Sequence, residues 1–194
     1  MSTISGGSIT GAYYCLNNKN FDAFEKYMLE SLGSKSVIRQ VFLSFTFIRT
    51  LLFFLVFLVP AVYILFTAYA WLSLPLIVLM LYLFIRFQFS IFPVSKEVEK
   101  AYNKFFYKHA TLSQLTNRPL LAVGSTNLQT ARPFTFSRLK MEDSSYAHMD
   151  PPVRFKNDAF PVARAVMASS CVPFAFTPVH IDKDFLKRPQ ICFA

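Results

Sequence analysis

Met1-Ser-Thr-Ile-Ser5-Gly6-Gly7-Ser-Ile-Thr-Gly11-Ala-Tyr-Tyr-Cys15-Leu16 is the stretch from which the rest of the chain is read. Ser5 sits between an apolar residue and two glycines, and a helix-like run follows at once. Thr3-Ile4-Ser5-Gly6-Gly7 is the G-x-S-x-G pattern of a nucleophile elbow, with Thr in the first glycine place. The expectation is a strand, a strained turn carrying Ser5, and then a helix. Small neighbours are expected beside Ser5, because backbone segments pass close to the serine.

The pattern names a chemistry, serine-dependent acyl transfer. A serine hydroxyl is a poor nucleophile until a base takes its proton. On an elbow the hydroxyl stands above the sheet. The next backbone N–H, here that of Gly6, points at the oxygen of a tetrahedral intermediate, and the helix N-terminus adds its positive dipole end. One such donor is worth about 3–4 kcal/mol of barrier. A Ser/Gly-rich N-cap without chemistry produces the same short string, so the wider sequence matters.

Ser2-Thr3-Ile4-Ser5-Gly6-Gly7-Ser8-Ile9-Thr10-Gly11-Ala12 closely resembles the elbow of patatin-like phospholipases. Arg118-Pro-Leu-Leu-Ala-Val-Gly-Ser-Thr-Asn-Leu-Gln-Thr-Ala-Arg-Pro-Phe-Thr-Phe136 is similar to that family's central strand, turn and returning strand. Ala163-Arg-Ala-Val-Met-Ala-Ser-Ser-Cys-Val-Pro-Phe-Ala-Phe-Thr-Pro178 is similar to the helix and Pro-containing loop before its second catalytic motif. The resemblance implies an α/β fold, a three-layer α/β/α domain, spread over residues 1–194 in truncated form. It implies lipid acyl hydrolysis by a Ser–Asp dyad, with Ser5 as nucleophile and Gly6 and Gly7 as the oxyanion and elbow glycines. The family's aspartate stands in a D-G-G or D-G-A motif soon after the Pro loop. Asp182 and Asp184 lie in the right direction, but neither precedes Gly, and neither is assigned as the base. The family's glycine-rich oxyanion loop lies upstream of the elbow, and only four residues precede Ser5. The expectation is therefore a partial chain, inactive alone, whose base and upstream loop lie outside it. Thr3 in place of Gly adds bulk that the adjoining strand has to tolerate.

A second signal is apolar. Between positions 50 and 85 there is no Asp, Glu, Lys, Arg or His. As one helix this stretch would be about 54 Å long, against a hydrocarbon core of about 30 Å. Two antiparallel helices fit, at 43–66 and 74–92, making residues 43–92 a membrane hairpin inserted in the domain. Tyr69, Trp71, Ser73 and Pro75 fall at the turn, and Pro60 is expected to kink the first span or shift its end. Residues 51–66 include thirteen Leu, Ile, Phe or Val, each favouring insertion by roughly 0.3–0.6 kcal/mol. Arg39 and Arg49 precede the hairpin, and Arg86, Lys96 and Lys100 follow it. The positive-inside rule then puts both ends, and the catalytic part, in the cytoplasm. A monotopic hairpin that dips in and returns is an open alternative, and a buried core hairpin of a soluble protein is another.

Composition agrees with a lipid-facing chain. Of 194 residues, 54% are hydrophobic and 23 are Phe, with a net charge of +9; the mean hydropathy is +0.37. The length suggests one domain. The positive charge points to anionic head groups. With no basic–aromatic or helix-turn-helix pattern, nucleic acid is not the expected partner. The three cysteines, Cys15, Cys171 and Cys192, form no C-x-x-C pair, so no metal site is expected. Cys15 and Cys171 read as packed thiols. No cofactor is expected.

Elsewhere, 17–40 reads mostly as amphipathic helix and 95–113 as helix. Residues 120–124 read as a short buried strand, 127–130 as a turn and 133–136 as the returning strand. Residues 137–152 read as a loop. Residues 160–170 read as a helix with Ala163, Ala165, Ala168 and Ser169 for close packing, ended by Pro173 and Pro178. His148 with Asp150 reads as a surface pair, and His109 and His180 as incidental. The function implied is hydrolysis of a membrane phospholipid or other acyl lipid at a bilayer. The alternative is a non-catalytic membrane-anchored scaffold or lipid-binding module.

Overall fold

The structure, a computed structural model, describes residues 1–17, 21–34, 37–150, 152–172 and 176–187. The chain forms two compact units, Met1–Lys35 with Glu99–Ala194, and Ser36–Val98. Strand β1 (Ser2–Thr3) turns through Ile4 and Ser5 into helix α1 (Gly6–Leu16), followed by α2 (Phe21–Ser34) and α3 (Val37–Phe42). Helix α4 (Phe45–Leu65), a 3-10 turn (Ala70–Leu72) and α5 (Ser73–Ile91) come next. Helix α6 (Val94–Tyr102) runs into a π-helical turn (Asn103–Tyr107). Strands β2 (Ala122–Asn127), β3 (Arg132–Ser137) and β4 (Met141–Asp143) precede the short helix α7 (Ser144–Ala147). Strand β5 (Arg154–Phe155), helix α8 (Val162–Ser170) and strand β6 (Leu186–Lys187) follow.

The first unit mixes helix and sheet. Its main sheet has the order β1-β2-β3-β4, with β1 parallel to β2 and the other neighbours antiparallel. One cross-strand row runs through Thr3, Val123, Phe136 and Met141. The last three are buried, because alternate residues of a strand face the same side. Helix α8 covers β2, and α1 packs on α8 and β1. Val162, Ala163, Ala165, Val166 and Met167 are wholly buried, and the alanines let α8 approach the sheet closely. Phe136 stacks on Phe160 at 5.3 Å, and Phe134 meets Phe155 edge-on at 5.4 Å. Each such buried side chain stabilises the fold by about 1.5–3 kcal/mol relative to exposure.

The β2–turn–β3 reading holds, with β2 starting two positions later than expected and running on to Asn127. The loop expected over 137–152 is corrected: it contains β4 and α7. A tight turn, in which Ser137 N–H donates to Lys140 O at 3.0 Å, folds β4 back onto β3. Three residues are too few for an alternation to stand out in sequence. The 17–40 stretch is mostly helical as read, in α2 and the first part of α3.

The second unit is a helical hairpin. Arg49, near the start of α4, donates through Nη2 to Ser90 O at 2.5 Å and Ile91 O at 2.8 Å, at the end of α5. Phe54 and Phe84 meet at 5.1 Å, so the helices run antiparallel. At about 31 and 28 Å they match the hydrocarbon thickness. Helix α4 continues through Pro60 without ending. Pro75 is the third residue of α5, where a missing N–H costs nothing. The buried residues of the hairpin are few and mostly small or polar, Thr46, Thr50, Ala61 and Ser73, with Met80 the large one among them. Thr46 Oγ1 donates to Glu97 Oε1 at 2.9 Å, and Thr50 Oγ1 to Thr46 O at 2.9 Å. Other large apolar residues lie outside: Phe45 is 78% exposed, Phe66 88% and Trp71 70%. Both helices are long and apolar enough to cross a membrane, and only 11% of the most apolar stretch of each is buried.

Candidate active site

The bend falls between β1 and α1, with Ser5 directly before the first helical residue, Gly6. Ser5 has φ 54° and ψ −132°. That φ belongs to the left-handed half of the map, and the ψ lies outside even its small allowed well. Holding a serine there costs on the order of 1–3 kcal/mol. Three hydrogen bonds oppose the strain. Ser5 N–H donates to Ser169 Oγ at 3.0 Å, Ser169 Oγ lies 3.0 Å from Ser8 Oγ, and Ser8 N–H donates to Ser5 O at 2.9 Å. Each is worth about 0.5–1.5 kcal/mol net.

Ser5, Gly6 and Gly7 are exposed. The N–H groups of Gly6 and Gly7 lie in the first turn of α1, where no carbonyl precedes them in the helix. They are the local donors for an anion beside Ser5.

The glycines differ from expectation. A Cβ on Gly6 or Gly7 would meet nothing within 4 Å. The close approach is at Gly11 instead. A Cβ there would lie 2.8 Å from Thr3 Cγ2, 2.8 Å from Met1 Cε and 3.4 Å from Leu121 Cδ1. Helix α1, through Gly11, therefore accommodates the extra bulk of Thr3. On the neighbouring strand, a Cβ on Gly124 would be 3.4 Å from Ile4 Cγ1.

Asp143, Asp182, Glu99 and His148 are each hydrogen-bonded to partners other than Ser5. Asp143 accepts from Asn127 Nδ2 at 2.8 Å, Thr130 Oγ1 at 2.7 Å and the Tyr146 N–H at 2.8 Å. Burial pushes its carboxyl up, but the bonds from Tyr146, Thr130, Asn127 and the Ser145 N–H outweigh this and hold it below the usual carboxylate range. It caps α7. Asp182 accepts from Arg164 Nη1 at 2.6 Å, and Glu99 from Arg164 Nε at 3.1 Å. His148 donates through Nδ1 to Ser144 O at 2.7 Å. Among the described residues, no carboxylate or imidazole is hydrogen-bonded to the Ser5 hydroxyl.

Cys15 is a packed thiol: burial pushes it up, and Sγ lies 3.8 Å from Pro119 O. Cys171 departs from expectation. It is half-buried just past α8, with Sγ 3.6 Å from Thr177 O. Cys192 and Pro173 lie outside the described residues. Among the described residues, no group of three or more His, Cys, Asp or Glu could hold a metal ion.

Ser8, Gly11 and Ser169 were not singled out as elbow supports by their local sequence. The spacing of Ser5 and Ser8 on one helical face is a weak signal. Ser169 carries none beyond its small size. Compared with known proteins, the chain matches no family model, no curated protein and no solved structure.

Proposed function

We propose that this chain carries the nucleophile of a membrane-bound lipid acyl hydrolase of the patatin-like kind. The observation that carries the reading is the backbone of Ser5, strained at φ 54° and ψ −132° between a strand and a helix. Strain of this size persists where surrounding contacts enforce it, and such sites cluster where chemistry is done. Ser5 Oγ attacks the carbonyl carbon of a phospholipid or related acyl ester. The Gly6 N–H, with that of Gly7, stabilises the oxyanion. Collapse expels the alcohol, and water then cleaves the acyl-enzyme. An aspartate outside the described residues takes the Ser5 proton and returns it to the leaving group. The mechanism uses no cofactor or metal. A three-layer α/β/α domain belongs to the same proposal. It is supported by the order β1–elbow–α1, β2–turn–β3 and α8 along the chain.

The apolar hairpin supports a bilayer location. Arg39 and Arg49 before it, and Arg86, Lys96 and Lys100 after it, argue for both ends on the cytoplasmic side. One observation favours a second reading, a membrane-anchored scaffold or lipid-binding module without catalysis: the Ser5 hydroxyl has no base bonded to it among the described residues.

The test uses protein expressed from its complete reading frame and reconstituted in phospholipid vesicles. Fatty-acid release is expected to fall at least ~10³-fold in Ser5→Ala. Equal release with and without the substitution overturns the hydrolase. No release from either protein, with vesicle binding retained, favours the scaffold.

A further inference from the structure

We infer that Ser169 is a positioning residue for Ser5, and that by holding the Ser5 N–H it leaves the oxyanion to Gly6 and Gly7. The inference rests on the hydrolase reading above. Ser169 and Ser5 are 164 positions apart, yet the hydroxyl of one accepts the backbone N–H of the other at 3.0 Å. The bond is made to the backbone of the strained residue itself. It therefore restrains the φ torsion that aims the Ser5 side chain.

The contact has a rigid base. The residues of α8 leading to Ser169 are wholly buried from Val162 to Met167, apart from Arg164. Arg164 is bonded to Glu99 and Asp182, and the Val162 N–H donates to Ala110 O at 3.0 Å. The Ser169 hydroxyl is also held from a second side. Ser8, which is completely buried, lies 3.0 Å away through its own Oγ. A buried hydroxyl without a partner is costly, so Ser8 fixes the Ser169 rotamer as Ser169 fixes Ser5.

The arrangement also sorts the donors. With its N–H committed to Ser169, Ser5 cannot offer it to an oxyanion. The N–H groups of Gly6 and Gly7 have no intrahelical acceptor, and the space beside those glycines is open. The division of labour is then one amide for orientation and the next two for charge.

The test compares Ser169→Ala, Ser169→Thr and Ser5→Ala in the full-reading-frame protein in vesicles. Ser169→Ala is expected to lower kcat about 10- to 100-fold with KM changed by less than about twofold. Hydrogen exchange at the Ser5 amide is expected to speed up in the same variant. Ser169→Thr keeps the acceptor oxygen and is expected to restore both. An unchanged kcat in Ser169→Ala, when Ser5→Ala abolishes turnover, overturns the inference while leaving the hydrolase standing. A loss in Ser169→Ala that comes with a lower Tm and is not restored by Ser169→Thr marks a packing role and also overturns it. If Ser5→Ala leaves turnover intact, the hydrolase reading itself has failed, and this inference with it.

Discussion

At Ser5 local cost and chemistry pull in opposite directions. A serine at φ 54° is strained, whereas glycine occupies that region freely. Ser5→Gly relieves about 1–3 kcal/mol of strain against an entropic cost of about 0.5–1 kcal/mol. The net expectation is a gain in stability on the order of 1 kcal/mol, together with loss of any Ser5 chemistry. Ser5→Ala keeps a Cβ and with it the strain, so its stability should match the parent. Urea unfolding of the three proteins checks this, and a Ser5→Gly variant less stable than the parent rules the strain out. The motif pointed to this residue correctly as the bend but misjudged its glycines. Gly6 and Gly7 face open space, and the crowded glycine is Gly11. Local spacing announces a turn; it does not announce which atoms of another segment come within 3 Å of it.

Among the elements, β4 and α7 show how a few side chains replace a long periodic run. Asp143 bonds Asn127 at the end of β2, Thr130 in the turn and Tyr146 in α7. Its carboxyl is held below the usual range in the folded protein. The folded state therefore binds fewer protons here than the unfolded state as pH falls below the ordinary carboxylate value. The stabilisation is complete above about pH 4 and is lost as pH drops through the lowered value. Asp143→Asn is expected to remove this part of the acid sensitivity. Unfolding midpoints measured from about pH 6 to about pH 3 read it directly; a parent and variant that lose stability in parallel contradict it. Long elements were legible by contrast. The apolar helices expected at 43–66 and 74–92 are Phe45–Leu65 and Ser73–Ile91, because a charge-free run of that length has few other structures open to it.

For the whole molecule, the question is where the exposed apolar surface of the hairpin goes. On the bilayer reading, the chain stays with membranes after high-salt and alkaline washes. Leu55, exposed in the middle of α4, gives a sharper test. Leu55→Arg at mid-span disfavours insertion by about 3 kcal/mol, and a measurable fraction of the protein should move to the soluble or aggregated pool. Full retention in the membrane pellet, with the hairpin unprotected from protease, would contradict a spanning arrangement. The insertion is also why the first unit is discontinuous, joining Met1–Lys35 to Glu99–Ala194.

By itself the sequence determined the strand, bend and helix around Ser5, the two apolar helices and the β2–turn–β3 pair. Each is encoded in one contiguous run, where periodicity, charge-free length or turn residues act on near neighbours. Only the tertiary structure decided that Ser169 holds the Ser5 amide, that Gly11 takes up the bulk of Thr3, and that Asp143 ties a strand, a turn and a helix together. Those outcomes depend on atoms brought within a few ångströms across as many as 164 positions, and such proximity follows from packing rather than from any local pattern.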